Sequence, residues 1–336
     1  RGFIMASFMD NLREKVKANP KTIVLAEGYD ERHIKAAVIL KKEKLAKSVI
    51  LLGDKAKIES LAKENSLEID DFARIFDPKT EYKTESYIEM LFKKREKKGM
   101  TKDQAKELIV YNSVYTGAAI LADNGADGMV GGAVYATGEM LRAALFLIGL
   151  KQGIKTLSST FFVESPDKAL FDDGIACFAD CAVIPDPNAE QLADIAESTA
   201  ESFKTMTGKD PRVALLSFST KGSAQHESVD KVIEAKKILD SRNVNFVFDG
   251  ELQFDAAIVP KVGEQKAPNS KIKGNANVLI FPNLNAGNIG YKIAQRVGKC
   301  TAIGPMLQGI AKPANDLSRG CSAQDIADLS VLTSLQ

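Results

Sequence analysis

The sequence lacks several patterns that mark whole classes of protein. Its 45 basic and 44 acidic side chains leave a formal net charge of +1, so no general field attracts nucleic acid or an anionic membrane. No apolar run approaches the ~18 residues of a membrane span, and no apolar segment follows a basic start. These absences favour a cytoplasmic protein without nucleic-acid or membrane partners, whose anionic ligands are held by local clusters.

Histidine and cysteine are also scarce. The two histidines, His33 and His226, form no H-E-x-x-H pattern, and four cysteines form no C-x-x-C pair, so we expect no metal site and reduced thiols. Buried, small apolar side chains are the simplest interpretation of Cys177, Cys181 and Cys300.

Nucleotide-binding motifs are missing as well. No G-x-G-x-x-G follows a strand, and the two Gly-Lys pairs, at 208/209 and 298/299, precede Asp and Cys rather than Ser or Thr. A Walker loop is therefore excluded, and an ordinary Rossmann dehydrogenase is disfavoured. The first residues, "RGFIM", read as a remnant of an expression vector, with Met5 as the expected native start.

Apolar runs alternate with helical patterns along the chain. "KTIVLAEG", "DERHIKAAVILKKEK", "SVILLGD" and "KAKIESLAKENS" predict β-α-β-α, which is typical of a parallel sheet covered by helices. Thr101 with Gln104 predicts a new helix start. We expect two α/β domains, residues 1–152 with 305–336 and residues 153–304.

Several glycine- and hydroxyl-rich loops follow apolar runs. They are "VGGAVYATGEMLR", "LLSFSTKGSA", "FPNLNAGNIG" and "GPMLQG", and such loops expose backbone N–H groups beyond the carboxyl ends of strands, where anions bind. They predict a phosphate or acyl site whose candidate residues are Thr137, Ser219, Thr220, Lys221, Gly222, Ser223 and Asn288.

The segment "NDLSRGCSAQDI", residues 315–326, has two interpretations. Ser322-x-x-Asp325 fits a helix capping box with an apolar stripe behind it. A capping box needs neither Ser318 nor Arg319, so a catalytic cluster is the competing interpretation.

Four segments closely resemble the phosphate acetyltransferase family: "LLSFSTKGSA", "DGELQFDAAIVP", "APNSKIKGNANVLIFPNLNAGNIGYKIAQR" and "IGPMLQGIAKPANDLSRGCSAQDI". The resemblance implies two α/β domains with a cleft between them and an architecture like that of isocitrate and isopropylmalate dehydrogenases. It also implies a homodimer that interconverts acetyl phosphate plus coenzyme A with acetyl-CoA plus phosphate. Coenzyme A is then a substrate, and no tightly bound cofactor is expected.

The resemblance also implies roles for individual residues. Ser318, Arg319 and Asp325 match the family's catalytic serine, arginine and aspartate, and Arg95 and Arg142 match arginines that bind coenzyme A. Taken alone, "KKREKK" around Arg95 is typical of a solvated helix face, and Arg142 has an i−3 partner in Glu139.

The chain departs from the family in the first glycine loop. Relatives commonly have His-Ser at Tyr135-Ala136, Asp at Glu139 and Pro at Ala143, so the departures bear on phosphate contacts and acyl preference.

Other functions compete with acetyl transfer. The first is transfer of a propanoyl or butyryl group, the second is an inactive binding module, and the third is a metal- and NAD-dependent decarboxylating dehydrogenase. Intact Ser318, Arg319 and Asp325 argue against the second, and the sequence has no acidic metal motif for the third. Cys321 lies close to an arginine that would activate it, but a covalent role is redundant because coenzyme A supplies a thiol.

Overall fold

The computed structural model describes residues 7–171 and 173–336, so the expected start at Met5 lies outside the described residues. The chain forms two compact units, Arg1–Gln152 with Ile310–Gln336, and Gly153–Gly309. Each unit contains one sheet. No helix of the described residues combines the length and apolar character needed to cross a membrane.

The first part of unit 1 alternates strands with helices, as the periodicity predicts. A 3₁₀ turn, Glu96–Lys98, follows the helix Thr84–Arg95, and a π-helical turn, Ala144–Ile148, continues the helix Thr137–Ala143. The elements are α1 Phe8–Ala18, β1 Thr22–Leu25, α2 Glu31–Glu43, β2 Ser48–Leu52, α3 Lys55–Glu64, β3 Ala73–Phe76, α4 Thr84–Arg95, α5 Lys102–Tyr111, α6 Ser113–Ala122, β4 Gly128–Gly131 and α7 Thr137–Ala143.

Unit 2 is one continuous segment of the chain, Gly153–Gly309. Its elements are β5 Ser158–Glu164, β6 Ile175–Ala179, α8 Ala189–Thr207, β7 Arg212–Leu216, α9 Glu227–Ser241, β8 Val247–Leu252, α10 Phe254–Ile258, α11 Pro260–Lys266, β9 Val278–Ile280, α12 Leu284–Arg296 and β10 Thr301–Gln308.

The chain returns to unit 1 later than the sequence suggests. The expected return lies at residue 305, but the second unit extends to Gly309. The reason is that β10 pairs antiparallel with β5 from Thr301 to Gln308. The elements that complete unit 1 are β11 Ala314–Asp316 and α13 Ala323–Leu335.

The sheet of unit 1 has the order β11-β4-β1-β2-β3, and every pair in it is parallel. Its strands are short apolar runs such as Thr22–Leu25, whose last three residues are buried, as parallel strands covered by helices require. All five strands therefore end at one edge, where the loops after β1, β4 and β11 are neighbours.

The sheet of unit 2 is mixed, with the order β10-β5-β6-β9-β7-β8. Its pairs β6–β9, β9–β7 and β7–β8 are parallel. The core on one part of this sheet includes Phe161, Phe178, Leu216 and Phe281. The loop after β7, residues 217–226, follows the carboxyl end of a central strand.

Candidate active site

Ser318 and Arg319 lie in the turn that follows β11, and Asp325 lies in the first turn of α13. All three residues are exposed. The turn is closed by the Cys321 amide, which donates to the Ser318 carbonyl at 2.9 Å, and the Gly320 amide donates to Ser318 Oγ at 3.3 Å. A hydroxyl, a guanidinium and a carboxylate are thus presented on one strand–turn–helix junction.

The Asp325 carboxylate also forms the predicted capping box. Its Oδ2 atom accepts from the Ser322 amide at 2.8 Å and from Ser322 Oγ at 2.9 Å. In return, the Asp325 amide donates to Ser322 Oγ at 3.1 Å. Oδ1 has no hydrogen-bond partner within residues 7–171 and 173–336. One carboxylate oxygen therefore serves the helix, and the other is available for chemistry.

Arg32, which the sequence analysis missed, fixes the position of this turn. Its Nη1 donates to the carbonyl oxygens of Arg319 at 2.8 Å and Cys321 at 3.3 Å. Its Nε and Nη2 donate to Asp30 at 2.9 and 2.8 Å, and Nη2 also donates to the Ala133 carbonyl at 2.9 Å. The planar guanidinium therefore joins the loops after β1, β4 and β11.

Glu27 is a second residue that the sequence analysis missed. Its fully buried carboxylate accepts from four successive amides, those of Gly132, Ala133, Val134 and Tyr135, at 2.9–3.2 Å. The glycine loop thus binds an anion, as its composition predicts, but the anion is the protein's own carboxylate. An acidic residue two positions after the end of an apolar parallel strand, as in "TIVLAEG", is the sequence signal for this arrangement.

His33 lies beside Glu27 in the same buried region. Its Nε2 is 3.3 Å from Glu27 Oε2, and both side chains are completely buried. Burial lowers the pKa of His33, although the negative charge of Glu27 opposes this effect. The imidazole is therefore neutral at neutral pH.

Thr137 is the first residue of α7. Its hydroxyl lies 2.6 Å from Oδ2 of Asp316, the last residue of β11. Asp316 is 2% exposed, and this burial raises its pKa to about 7, with a smaller contribution from the charge of Glu27. A carboxyl group that titrates near neutrality therefore lies close in sequence to Ser318.

Arg95 and Arg142 approach the same aromatic cluster. The Arg95 guanidinium stacks 3.8 Å from the centroid of Phe146, and Phe146 packs edge-on against Tyr115 at 6.3 Å. Arg95 has no ion-pair partner among the described residues. Arg142 Nη1 donates to Glu139 Oε1 at 2.6 Å, which is the i−3 pair that its spacing allows.

The four departures from the family pattern have different environments. Tyr135 lines a cavity of about 280 Å³ together with Tyr29, Tyr111 and Ser113. Ala136 is the N-cap of α7 and supplies no capping side chain. Glu139 pairs with Arg142, and Ala143 is completely buried where α7 passes into the π-helical turn.

In unit 2, the candidate phosphate loop, residues 219–223, also donates hydrogen bonds to a carboxylate of the protein. Glu251 Oε1 accepts from the Gly222 amide at 2.7 Å and from Ser219 Oγ at 2.9 Å. Lys221 Nζ pairs with Asp249 and donates to the Gly250 carbonyl at 2.8 Å. These groups are therefore engaged within the protein.

The remaining candidates of unit 2 also have internal partners. The Thr220 amide donates to Ser223 Oγ at 2.9 Å, and Thr220 Oγ1 accepts from the Gln253 amide at 2.9 Å. Asn288 Nδ2 donates to the Cys181 carbonyl at 3.0 Å, and Lys292 donates to Asn288 Oδ1 at 2.7 Å.

The cysteines are free thiols, and Cys177, Cys181 and Cys321 are buried. Cys300 is partly exposed rather than buried, because it lies in the connection between α12 and the edge strand β10. No group of three or more His, Cys, Asp or Glu side chains among the described residues is arranged to hold a metal ion.

The buried Asp316 predicts an unusual pH dependence of stability. Its folded-state pKa of about 7 exceeds the ordinary value of ~3.9, so the folded protein keeps a proton that the unfolded chain has lost. The free energy of unfolding should therefore fall as pH rises between these two pKa values. Between about pH 5 and pH 8, the free energy of unfolding of Asp316→Asn should fall by roughly 2 kcal/mol less than that of the parent, measured by urea unfolding.

Asp70→Asn is the matched control for that measurement. Asp70 is exposed and Lys41 lowers its pKa, so it stays ionised from about pH 5 to pH 8, and its loss should leave the pH dependence of stability unchanged. Equal slopes for the parent and Asp316→Asn would contradict the assignment of Asp316.

Comparison with known proteins places the chain in a family. The family model described as phosphate acetyl/butaryl transferase matches residues 7–334. The phosphate acetyltransferase of Thermoanaerobacterium thermosaccharolyticum is 47% identical over 98% of this chain and 99% of its own length. A phosphotransacetylase structure from Streptococcus pyogenes is 41% identical, with a TM-score of 0.91 over 98% of each chain.

A more distant structure shares the fold alone. The 4-hydroxythreonine-4-phosphate dehydrogenase of Klebsiella pneumoniae is 10% identical, with a TM-score of 0.54 over 95% of this chain and 99% of that one. The expected α/β architecture of dehydrogenase type is thereby confirmed. The chain belongs to the phosphate acetyl/butaryl transferase family.

Proposed function

We propose that the chain is a phosphate acetyltransferase that reversibly moves an acetyl group between acetyl phosphate and coenzyme A by direct attack in a ternary complex. Family membership and the names of its relatives support the reaction class. The structural observation that carries the proposal is the junction after β11. There Ser318, Arg319 and Asp325 lie on one turn and helix start that Arg32 holds in place.

Asp325 is the proposed general base. Its unengaged Oδ1 accepts the proton of the coenzyme A thiol, and the thiolate attacks the carbonyl carbon of acetyl phosphate. The C–S bond forms, the C–O bond to phosphate breaks, and the departing phosphate takes up the proton. A base positioned at the thiol is needed because a free thiol titrates near ~8.5 and is mostly protonated at neutral pH.

Arg319 and Ser318 stabilise the charge that develops during this attack. The Arg319 side chain has no hydrogen-bond or ion-pair partner in residues 7–171 and 173–336, so its fork remains free for the tetrahedral oxyanion or the leaving phosphate. Ser318 donates a hydrogen bond to the same charge. Both side chains are exposed, which gives substrates access to them.

Arg95 and Arg142 are the proposed contacts for the phosphates of coenzyme A. Arg95 supports this role directly, because it is a half-buried cation without a carboxylate partner. Arg142 is paired with Glu139, so a phosphate must compete with that carboxylate. We therefore infer that Arg95 contributes more to affinity.

The proposed contact for substrate phosphate is Thr137 rather than the loop of residues 219–223. Glu251 and Asp249 already engage Ser219, Lys221 and Gly222, so a phosphate would have to displace buried carboxylates. Ser223 and Asn288 have internal backbone partners, which also weigh against direct contact. Thr137 has an internal partner too, Asp316, and its hydroxyl can donate outward only when that carboxyl is protonated.

Direct transfer is favoured over a covalent acetyl-enzyme on Cys321. Burial raises the pKa of that thiol to about 11, although Arg32 acts in the opposite direction. A thiol with this pKa is protonated at neutral pH and is a weak nucleophile. The four free cysteines also suit the proposed cytoplasmic location. A homodimer without a tightly bound cofactor completes the proposal.

The reaction itself is tested by mixing acetyl phosphate with coenzyme A and recording thioester absorbance. We expect rapid acetyl-CoA formation, slower reaction of propanoyl and butyryl phosphates, and intersecting initial-rate lines, since both substrates must be bound together. A higher kcat/KM for butyryl phosphate would support the alternative acyl preference. Parallel lines would indicate a covalent intermediate.

Asp325→Asn separates catalysis from helix capping. The asparagine oxygen can still accept from Ser322, so the cap survives while the base is lost. We expect kcat to fall roughly 10²-fold or more with the KM for coenzyme A within a few-fold. The melting temperature should stay close to that of the parent.

Ser322→Ala is the matched control, because it breaks the same capping box and keeps the carboxylate. It should cost about 1 kcal/mol of stability and retain most of the turnover. Equal loss of kcat in both variants would return Asp325 to a purely structural role.

Arg95→Gln and Arg142→Gln should mainly raise the KM for coenzyme A, because they remove contacts with a part of the substrate that does not react. The effect of Arg95→Gln should be the larger one, on the order of tenfold. Arg74→Gln, at an exposed strand position, is the control. A loss confined to kcat would overturn the assignment.

A further inference from the structure

Asp316 is a buried carboxyl group that the proposed chemistry does not use. It ends β11 and is paired with Gly131, the last residue of β4. The next amide, that of Leu317, donates to the Gly131 carbonyl at 2.8 Å. The side chain is thus held between the turn that carries Ser318 and the loop that leads to α7.

The contacts of this carboxyl are asymmetric. Oδ2 lies 2.6 Å from Thr137 Oγ1, whereas Oδ1 is buried without a hydrogen-bond partner among the described residues. A Cβ atom on Gly132, at φ +98°, would lie 2.2 Å from Oδ1. The chain therefore keeps a glycine beside this oxygen, and among residues 7–171 and 173–336 the side chain that hydrogen-bonds to the carboxyl is that of Thr137.

Two placements of the proton are compatible with the 2.6 Å contact between Thr137 Oγ1 and Asp316 Oδ2. A hydroxyl group has one proton and two acceptor lone pairs. If Asp316 is ionised, Thr137 must donate its proton inward to Oδ2. If Asp316 is protonated, Oδ2 donates to Thr137, and the threonine proton is free to point outward to an anion.

We propose that Asp316 is a positioning residue whose proton directs the Thr137 hydroxyl toward the phosphate of the substrate. The inference rests on the proposed function, because that function places phosphate at Thr137. Anionic oxygens accept hydrogen bonds and cannot donate them, so the protonated form of Asp316 binds a phosphate dianion more tightly than the ionised form.

The charges around Asp316 allow both forms near neutral pH. Burial is the main cause that raises its pKa, to about 7, and the charge of Glu27 adds to it. Arg32 is fully engaged by Asp30 and carbonyl oxygens. The charged or titratable groups on the surrounding loops and helix starts include Glu27, Tyr29, Asp30, Arg32, His33, Tyr135, Glu139, Arg142, Arg319, Cys321 and Asp325.

The experiment measures the Kd of sulfate by calorimetry from about pH 5.5 to 8.5. Sulfate is a tetrahedral dianion that does not titrate in this range. Any change of its Kd with pH, called the step below, therefore comes from a group that titrates in the protein. The proteins are the parent, Asp316→Asn, Thr137→Val and Thr137→Ser. The KM for acetyl phosphate is recorded beside the Kd.

We expect parent affinity to weaken roughly tenfold as pH rises through Asp316's titration. Asp316→Asn should bind sulfate with no step, because its amide donates to Thr137 permanently. Thr137→Val should bind roughly tenfold more weakly at low pH and also show no step, whereas Thr137→Ser should retain the step.

Three outcomes would overturn the proposal: no sulfate binding by the parent, no step in the parent, or a step that survives in Thr137→Val. If Thr137→Val fails to fold, the comparison of Asp316→Asn with the parent decides the question. A chain that shows the expected sulfate profile but forms no thioester would support the coupling of Asp316 and Thr137 to anion binding and would overturn the proposed function.

Discussion

The carboxylate of Glu27 is the interaction on which the unit 1 site depends. Four amides of the loop after β4 donate to it, and the carboxylate itself is fully buried, so it would lack partners without this loop. Because the loop closes around a fixed anion, α7 starts at a fixed place and carries Thr137 and Arg142 with it. The same loop presents the Ala133 carbonyl to Arg32, which in turn holds the turn of Ser318 and Arg319.

In unit 2, two buried carboxylates likewise accept hydrogen bonds from backbone amides of loops. The Asp180 carboxylate, 2% exposed, accepts from the amides of Ala182, Val183 and Ile184, and Glu251 accepts from the loop after β7. Each carboxylate lies at or near a strand end and saturates N–H groups that irregular backbone would otherwise leave unpaired. A glycine- and hydroxyl-rich loop therefore indicates an anion, but its sequence does not say whether the anion is substrate or protein.

This ambiguity explains which features could be predicted. The capping boxes of Thr101 with Gln104 and of Ser322 with Asp325 depend on residues three apart, so spacing alone predicted them correctly. The contacts of Arg32 and Asp316 span three loops, and they follow from the strand order β11-β4-β1, which no local pattern contains.

The arginines differ in whether their side chains hydrogen-bond to the protein or remain free for a ligand. Every nitrogen of the Arg32 guanidinium donates to a carboxylate or carbonyl of the protein, so it has no capacity left for a ligand. Arg319 and Arg95 lack such partners among the described residues, and a cation left without a counterion is available to an anionic substrate. A sequence shows only that arginines are present. Folding has already satisfied the donors of the arginine that holds this turn in place, whereas the proposed substrate-binding arginines, Arg319 and Arg95, keep donors free within the described part of the chain.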